Sequence, residues 1–179
     1  STYMSGHSKW SQIKRQKGAE DAKKSKIFGK LGSLIASESR KSKGDQSAPG
    51  LRAIIEKAKK ENMTKDTIDR AIKKGMGGET DEREELTYEA YGPGGCALII
   101  EAFTGNRNKA AQEIKFILSK NGGSLAAQGA AAWAFTKGEE GWEPANTIPL
   151  SDEDGAKLSA LIEELEGNDE VQDVYTNAD

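Results

Sequence analysis

The sharpest break in this chain lies at Gly75-Met76-Gly77-Gly78, where a lysine-rich stretch gives way to the acidic run Glu79–Glu85. Charge changes sign across it. Residues 1–78 hold 19 Lys/Arg against 8 Asp/Glu, a formal +11, and residues 79–179 hold 7 against 21, a formal −14. The net charge of −3 hides that division. With 35% hydrophobic and 31% charged residues, 179 residues supply little apolar material for one large core and suit two small units. We therefore expect a basic helical domain over residues 4–78, an acidic linker over 79–85 and a second domain over 86–179. Met4 reads as the natural start, and residues 1–3 are set aside as an extraneous leader.

The composition argues against several classes of protein. No apolar run approaches the roughly 20 residues of a membrane span, and no secretory signal opens the chain. Cys96 is the single cysteine, which rules out an intrachain disulfide and fits a reducing, cytoplasmic setting. We expect a monomer with no membrane partner.

The basic half has helical periodicity. From Asp21 to about Arg40, apolar residues fall at Ile27, Phe28, Leu31, Leu34 and Ile35, one stripe of a helix, with Lys23, Lys24, Lys26 and Lys30 largely off it. Ser42–Gly50 reads as a loop. Leu51–Asn62 carries a second stripe at Leu51, Ile54, Ile55 and Ala58, with Pro49 near its first turn. Thr64 is the expected N-cap of a third helix, Lys65–Lys74, which buries Ile68, Ala71 and Ile72 and meets a left-handed cap at Gly75.

The acidic half alternates strands and helices. Leu86–Tyr91 has period two, Gly92-Pro93-Gly94-Gly95 is a turn, and Cys96–Phe103 is apolar enough for a strand buried on both faces. Asn106 or Asn108 caps a helix to about Lys120. Ala131–Thr136 is expected as a third strand, Lys137–Gly141 as a turn and Trp142–Leu150 as extended chain. Ser151 caps a helix to Glu166, and Val171–Thr176 is the last strand. The order ββαβ(β)αβ predicts an α+β sandwich of ferredoxin-like type.

Catalytic chemistry finds few residues to work with. His7 and Cys96 cannot fill the four or so ligands of a zinc site, and His7 lies in a basic tail without an orienting scaffold. The carboxylates of Glu79–Glu85 and of Glu163, Glu164 and Glu166 read as solvated charge. Gly75-x-Gly77-Gly78 follows a helix rather than a strand, so it is no dinucleotide fingerprint. We expect no enzyme activity, no catalytic residue, no metal and no cofactor.

The stretch His7–Lys30 points elsewhere. It packs Lys9, Lys14, Arg15, Lys17, Lys23, Lys24, Lys26 and Lys30 against only Glu20 and Asp21, with Trp10 and Phe28 interleaved. Such cations pair with phosphates and release counterions, and an indole can stack on an unpaired base. Trp10 could equally be tucked into the helical bundle. Lys57, Lys59, Lys60, Lys65, Arg70, Lys73 and Lys74 extend the positive surface. No base-reading helix is evident, which favours contacts to backbone and shape. Asn106-Arg107-Asn108 sits where a strand hands over to a helix. It reads either as an anion contact or as a plain Asn cap beside an exposed Arg.

These residues together resemble the YebC family, which includes the mitochondrial translational activator of cytochrome c oxidase. The matching segments begin with Gly6-His7-Ser8-Lys9-Trp10, Ser25-Lys26-Ile27-Phe28 and Leu51-Arg52-Ala53. They continue with Arg70-Ala71-Ile72-Lys73-Lys74-Gly75, Tyr88-Glu89-Ala90-Tyr91-Gly92-Pro93-Gly94-Gly95 and Thr104-Gly105-Asn106-Arg107-Asn108. Ile13-Lys14, Lys30-Leu31, Asn62-Met63, Lys65-Asp66, Ile68, Ser119-Lys120-Asn121-Gly122-Gly123 and Val171-Gln172-Asp173-Val174-Tyr175 match too, and the likeness spans nearly the whole chain in order. The resemblance implies a helical domain followed by two α/β domains, one inserted in the other. This chain returns to Thr147-Ile148-Pro149 about a dozen residues after Phe135, so it looks like a short form without the third domain, natural or engineered. The family further implies either a DNA-binding transcriptional regulator or a ribosome-associated translation factor that relieves stalling at proline-rich stretches. Its partners would be DNA, or rRNA and tRNA on the ribosome. A protein-interaction scaffold, with the acidic domain holding a partner, is the alternative.

Overall fold

A computed structural model describes residues 21–77, 82–138 and 141–179, with side chains from Lys26 onward. Among them are five α-helices and six strands. They fall into two compact units, one running to Arg83 and the other being Glu84–Asp179.

The first unit is three helices, α1 (Asp21–Ser42), α2 (Pro49–Lys60) and α3 (Lys65–Met76). The apolar stripes meet as expected: Leu31 and Ile35 pack with Leu51, Ile55, Ala58, Ile68 and Ile72. Each helix end has a local cause. Pro49 sits in the first turn of α2, where its missing N–H costs nothing. Asn62 takes a left-handed conformation at φ 66°, and the Met63 N–H reaches back to the Ala58 carbonyl at 3.0 Å, closing α2 while burying Met63 in the core. Thr64 caps α3 through the Thr67 N–H at 3.2 Å.

One expectation at α3 needs correction. Gly75 is not a left-handed cap but an interior residue of α3, which runs to Met76 with Gly77 as its C-cap. The reason is steric. A Cβ at Gly75 would collide with the Ala36 carbonyl and Ser39 of α1. Glycine there lets two helices touch through their backbones, and the buried Ser39 hydroxyl donates to the Ile72 carbonyl at 2.6 Å beside it.

The second unit is an α+β sandwich. Strands β1 (Glu84–Tyr91), β2 (Ala97–Thr104), β3 (Ser124–Leu125) and β6 (Val171–Thr176) form one antiparallel sheet in the order β3-β1-β2-β6. β1 begins at Glu84, inside the stretch read as linker. Helices α4 (Arg107–Lys120) and α5 (Asp152–Gly167) cover one face, where Leu98 and Ile100 meet Ile114, Leu118, Leu158, Leu161 and Leu165. The alternate residues Ala97 and Ile99 face the other side. There they pack with Ala131, Ala134 and Phe135, under a hairpin of β4 (Phe135–Gly138) and β5 (Gly141–Pro144). β2 is therefore covered on both faces, as its unbroken apolar run requires.

The stretch Ala131–Thr136 departs from the expected strand. Ala132–Ala134 form a single 3-10 turn, and β4 starts only at Phe135. The Glu89 carboxylate accepts the N–H groups of Gly129, Ala131 and Ala132 at 2.6, 2.9 and 2.6 Å. Those donors are taken from any ladder, so the backbone curls around one side chain. The chain after it is less extended than expected too. β5 ends at Pro144, and the Ala145 N–H turns back to the Ala134 carbonyl. The third strand of the main sheet is the two-residue β3 instead.

Candidate nucleic-acid interface

The basic residues singled out in the sequence divide into those whose surroundings are described and those beyond them. Lys9, Trp10, Lys14, Arg15 and Lys17 lie outside the described residues. Lys23 and Lys24 fall in the first turn of α1, with their side chains outside the description. Lys26 and Lys30 sit half-buried one turn apart on α1.

The clearest cationic surface is on α2 and α3. Arg70, Lys73 and Lys74 are exposed at i, i+3 and i+4 of α3, so they share a face. Their helix buries Ile68, Ile72 and Gly75, which fixes that basic face outward. On α2, Arg52, Lys57, Lys59 and Lys60 are likewise exposed, opposite Leu51, Ile55 and Ala58. Lys73 and Lys74 end α3 and Lys57, Lys59 and Lys60 end α2, where the helix dipoles favour positive charge. Arg70 makes one long bond to the Thr67 hydroxyl at 3.4 Å, and Lys65 pairs loosely with Asp69 at 3.9 Å. Lys73 and Lys74 form no ion pair among the described residues. The arrangement offers phosphates a set of exposed cations on a rigid support. It offers nothing shaped to read a base edge.

The turn at Asn106-Arg107-Asn108 belongs to the other unit. Asn106 caps α4, its side-chain oxygen accepting the Lys109 N–H at 3.0 Å. The buried Thr104 hydroxyl donates to the Asn106 carbonyl at 3.0 Å and accepts its N–H at 2.9 Å, which locks the handover from strand to helix. The Arg107 Nε lies 3.1 Å from a Glu84 carboxylate oxygen, and both side chains are largely exposed. Asn108 is exposed. An anion approaching here would compete with Glu84 for the guanidinium.

Two features went unread in the sequence. Glu89 is one; its carboxyl faces a desolvation cost, yet the three backbone N–H bonds prevail and hold it below the usual glutamate range. The other is Trp133, which is 66% exposed and donates its indole N–H to the Ala130 carbonyl at 2.9 Å. The Tyr91 hydroxyl reaches the same carbonyl at 3.0 Å. The sequence reading puts Trp133 within a strand over Ala131–Thr136, whereas it stands in the 3-10 turn Ala132–Ala134. Cys96 is fully buried, and burial pushes its thiol up, away from the reactive thiolate form. Among the described residues no group of His, Cys, Asp and Glu side chains gathers as metal ligands, and no helix is long and apolar enough to cross a membrane.

Family models match this architecture unit by unit. The N-terminal domain of TACO1/YebC proteins matches residues 8–78, and their second and third domains match residues 83–140 and 136–178. The chain belongs to the TACO1/YebC family. A relative from Fervidobacterium nodosum, called a probable transcriptional regulatory protein, is 39% identical over 237 aligned positions covering 98% of this chain and 94% of the relative. Another of that name, from Desulfatibacillum aliphaticivorans, is 48% identical over 174 positions, covering 96% of this chain and 69% of the relative. The first alignment is longer than the 179 residues present here, so that TACO1/YebC relative carries residues this chain lacks. The two pieces of the second match meet at 136–140, in the β4–β5 hairpin. The crystal structure of the conserved hypothetical protein Aq1575 from Aquifex aeolicus has the same fold at a TM-score of 0.74. It is 29% identical, over 89% of this chain and 91% of that one.

Proposed function

We propose that this TACO1/YebC protein is a non-enzymatic regulatory factor of gene expression that binds nucleic acid through its helical unit. The observation that carries the reading is the exposed face Arg70, Lys73 and Lys74, joined by Arg52, Lys57, Lys59 and Lys60 on the neighbouring helix. Lysine and arginine presented this way neutralise phosphates and release counterions, independently of sequence. The basic tail Lys9, Trp10, Lys14, Arg15 and Lys17, with Lys23, Lys24, Lys26 and Lys30, would add to the same electrostatic grip. Asn106, Arg107 and Asn108 would serve as a secondary contact once a phosphate displaces Glu84.

The name borne by the relatives supports transcriptional regulation, for which duplex DNA would be the target. A ribosome-associated role in translation uses the same surface against rRNA or tRNA. Crosslinking in cells followed by sequencing of the bound nucleic acid separates the two. Recovered promoter DNA supports the first, and recovered rRNA, with co-sedimentation on ribosomes at low salt, supports the second. Recovery of neither, together with no binding of a duplex or single-stranded probe in dilute salt, overturns the proposal.

A further inference from the structure

Among the described residues, the outer edge of β1 is open along half its length. β2 pairs with β1 from Glu84 to Tyr91, whereas β3 reaches only Ala90 and Tyr91. One more bond follows, from the Ala126 N–H to the Glu89 carbonyl at 2.9 Å. That bond sets the phase of the strand. The Glu89 backbone faces outward, and so do the N–H and C=O groups of Thr87 and Glu85, since the ladder alternates. Glu84, Glu85 and Thr87 are exposed, and no described residue pairs with the outward groups of Glu85 and Thr87.

Open edges invite strand addition, and proteins guard them with proline, bulges or charge. β1 has no proline, and its register with β2 runs without a bulge. Its charges are all negative, at Glu84, Glu85 and Glu89, on a part of the chain carrying a formal −14. A second copy of the same edge would set those carboxylates against one another, which is unfavourable for residues facing across strands. The edge thus rejects itself and suits a strand of opposite charge. Glu84 is engaged by Arg107 and Glu89 by its loop, which leaves Glu85 as the carboxylate open to a partner among the described residues.

We propose that β1 accepts an extended, lysine- or arginine-bearing segment of another protein as an added strand, in line with β3 and ending at Ala126. Main-chain bonds to Glu85 and Thr87 supply the pairing, and a cation beside Glu85 supplies the preference. The surface lies in the sheet unit and does not depend on the nucleic-acid reading.

The test adds to the full chain an acetylated, amidated peptide of about seven residues alternating lysine and valine, a length typical of one strand. Amide hydrogen exchange is read at Glu85 and Thr87. At saturation, exchange at both slows by about tenfold or more, and Glu85→Lys weakens the peptide about tenfold. Thr87→Pro removes an outward N–H without touching the β2 ladder and abolishes the protection at Glu85; if it unfolds the strand, Glu85→Lys decides alone. Binding with neither amide protected is mere charge attraction and overturns the proposal. So does equal binding of a glutamate–valine peptide, or of a lysine–valine peptide interrupted by proline, or no binding at all.

Discussion

The two units use charge in opposite ways. In the sheet unit several carboxylates are spent on architecture. Glu89 gathers three N–H groups of a loop, Glu101 accepts the Trp142 indole at 2.9 Å, and Glu164 accepts the Lys120 ammonium at 2.7 Å and the Asn121 amide at 3.0 Å. In the helical unit the core is closed by apolar side chains and by the backbone contact at Gly75, and Lys73 and Lys74 enter no ion pair among the described residues. Charge with a structural task is charge removed from recognition. Surplus cations on a rigid frame remain available for a ligand, which is why the helical unit is the better candidate for a polyanion despite the acidic whole.

The contrast can be broken by substitution, and the largest effects should fall on the packed interiors. Leu98→Ala, in the fully buried centre of β2, should cost about 2–5 kcal/mol, read as a lower urea midpoint. A loss under about 1 kcal/mol would mean that the two-faced burial of β2 is looser than described. Next comes Gly75→Ala. The added methyl meets the Ala36 carbonyl and Ser39, so about 1–3 kcal/mol should be lost, although alanine is the better helix former. A stabilised variant would show that the α1–α3 crossing can yield.

Glu89→Gln should cost about 1 kcal/mol, a figure trimmed for its partial exposure, because charge-assisted bonds to three N–H groups become weaker neutral ones. The sign with pH follows from the depressed carboxyl. Its stabilisation is fully present above the ordinary glutamate range and is lost as pH falls through the depressed value. The wild-type chain should therefore lose stability on acidification more steeply than Glu89→Gln, in parallel melts across that window. Identical pH profiles would show that the carboxylate is not the anchor. The smallest stability effect belongs to the basic face. Lys73→Gln with Lys74→Gln should leave the melt within about 0.5 kcal/mol, as exposed substitutions do. Yet the same pair should flatten the log–log salt slope of duplex binding by about two, near 0.9 per phosphate contact. An unchanged slope would take α3 out of the interface.

Much of the fold was legible because periodicity reports burial directly. The stripe Ile27, Phe28, Leu31, Leu34 and Ile35 named the buried face of α1, and the unbroken apolar run of β2 named a strand covered twice. Thr64, Asn106 and Ser151 cap helices where short polar side chains preceded a periodic run. What escaped was decided by partners distant in sequence. Ala132–Ala134 curls because Glu89, some forty residues earlier, takes its donors. Gly75 is helical because Ala36 leaves room for nothing larger, and no local pattern distinguishes that glycine from a cap. The cationic surface was readable as composition. That its part on α2 and α3 faces outward required knowing which sides the core claims.

The hairpin of β4 and β5 has a consequence for how such chains can grow. Gly138 and Gly141 face each other as its last pair, so the strands there stand about 5 Å apart. Anything spliced between them begins and finishes at almost one point in space. A folded body could hang from that point without pulling on Phe135 or Trp142, which sit against the sheet behind it. The hairpin is a socket: a segment spliced there could be gained or lost while the platform beneath keeps its shape.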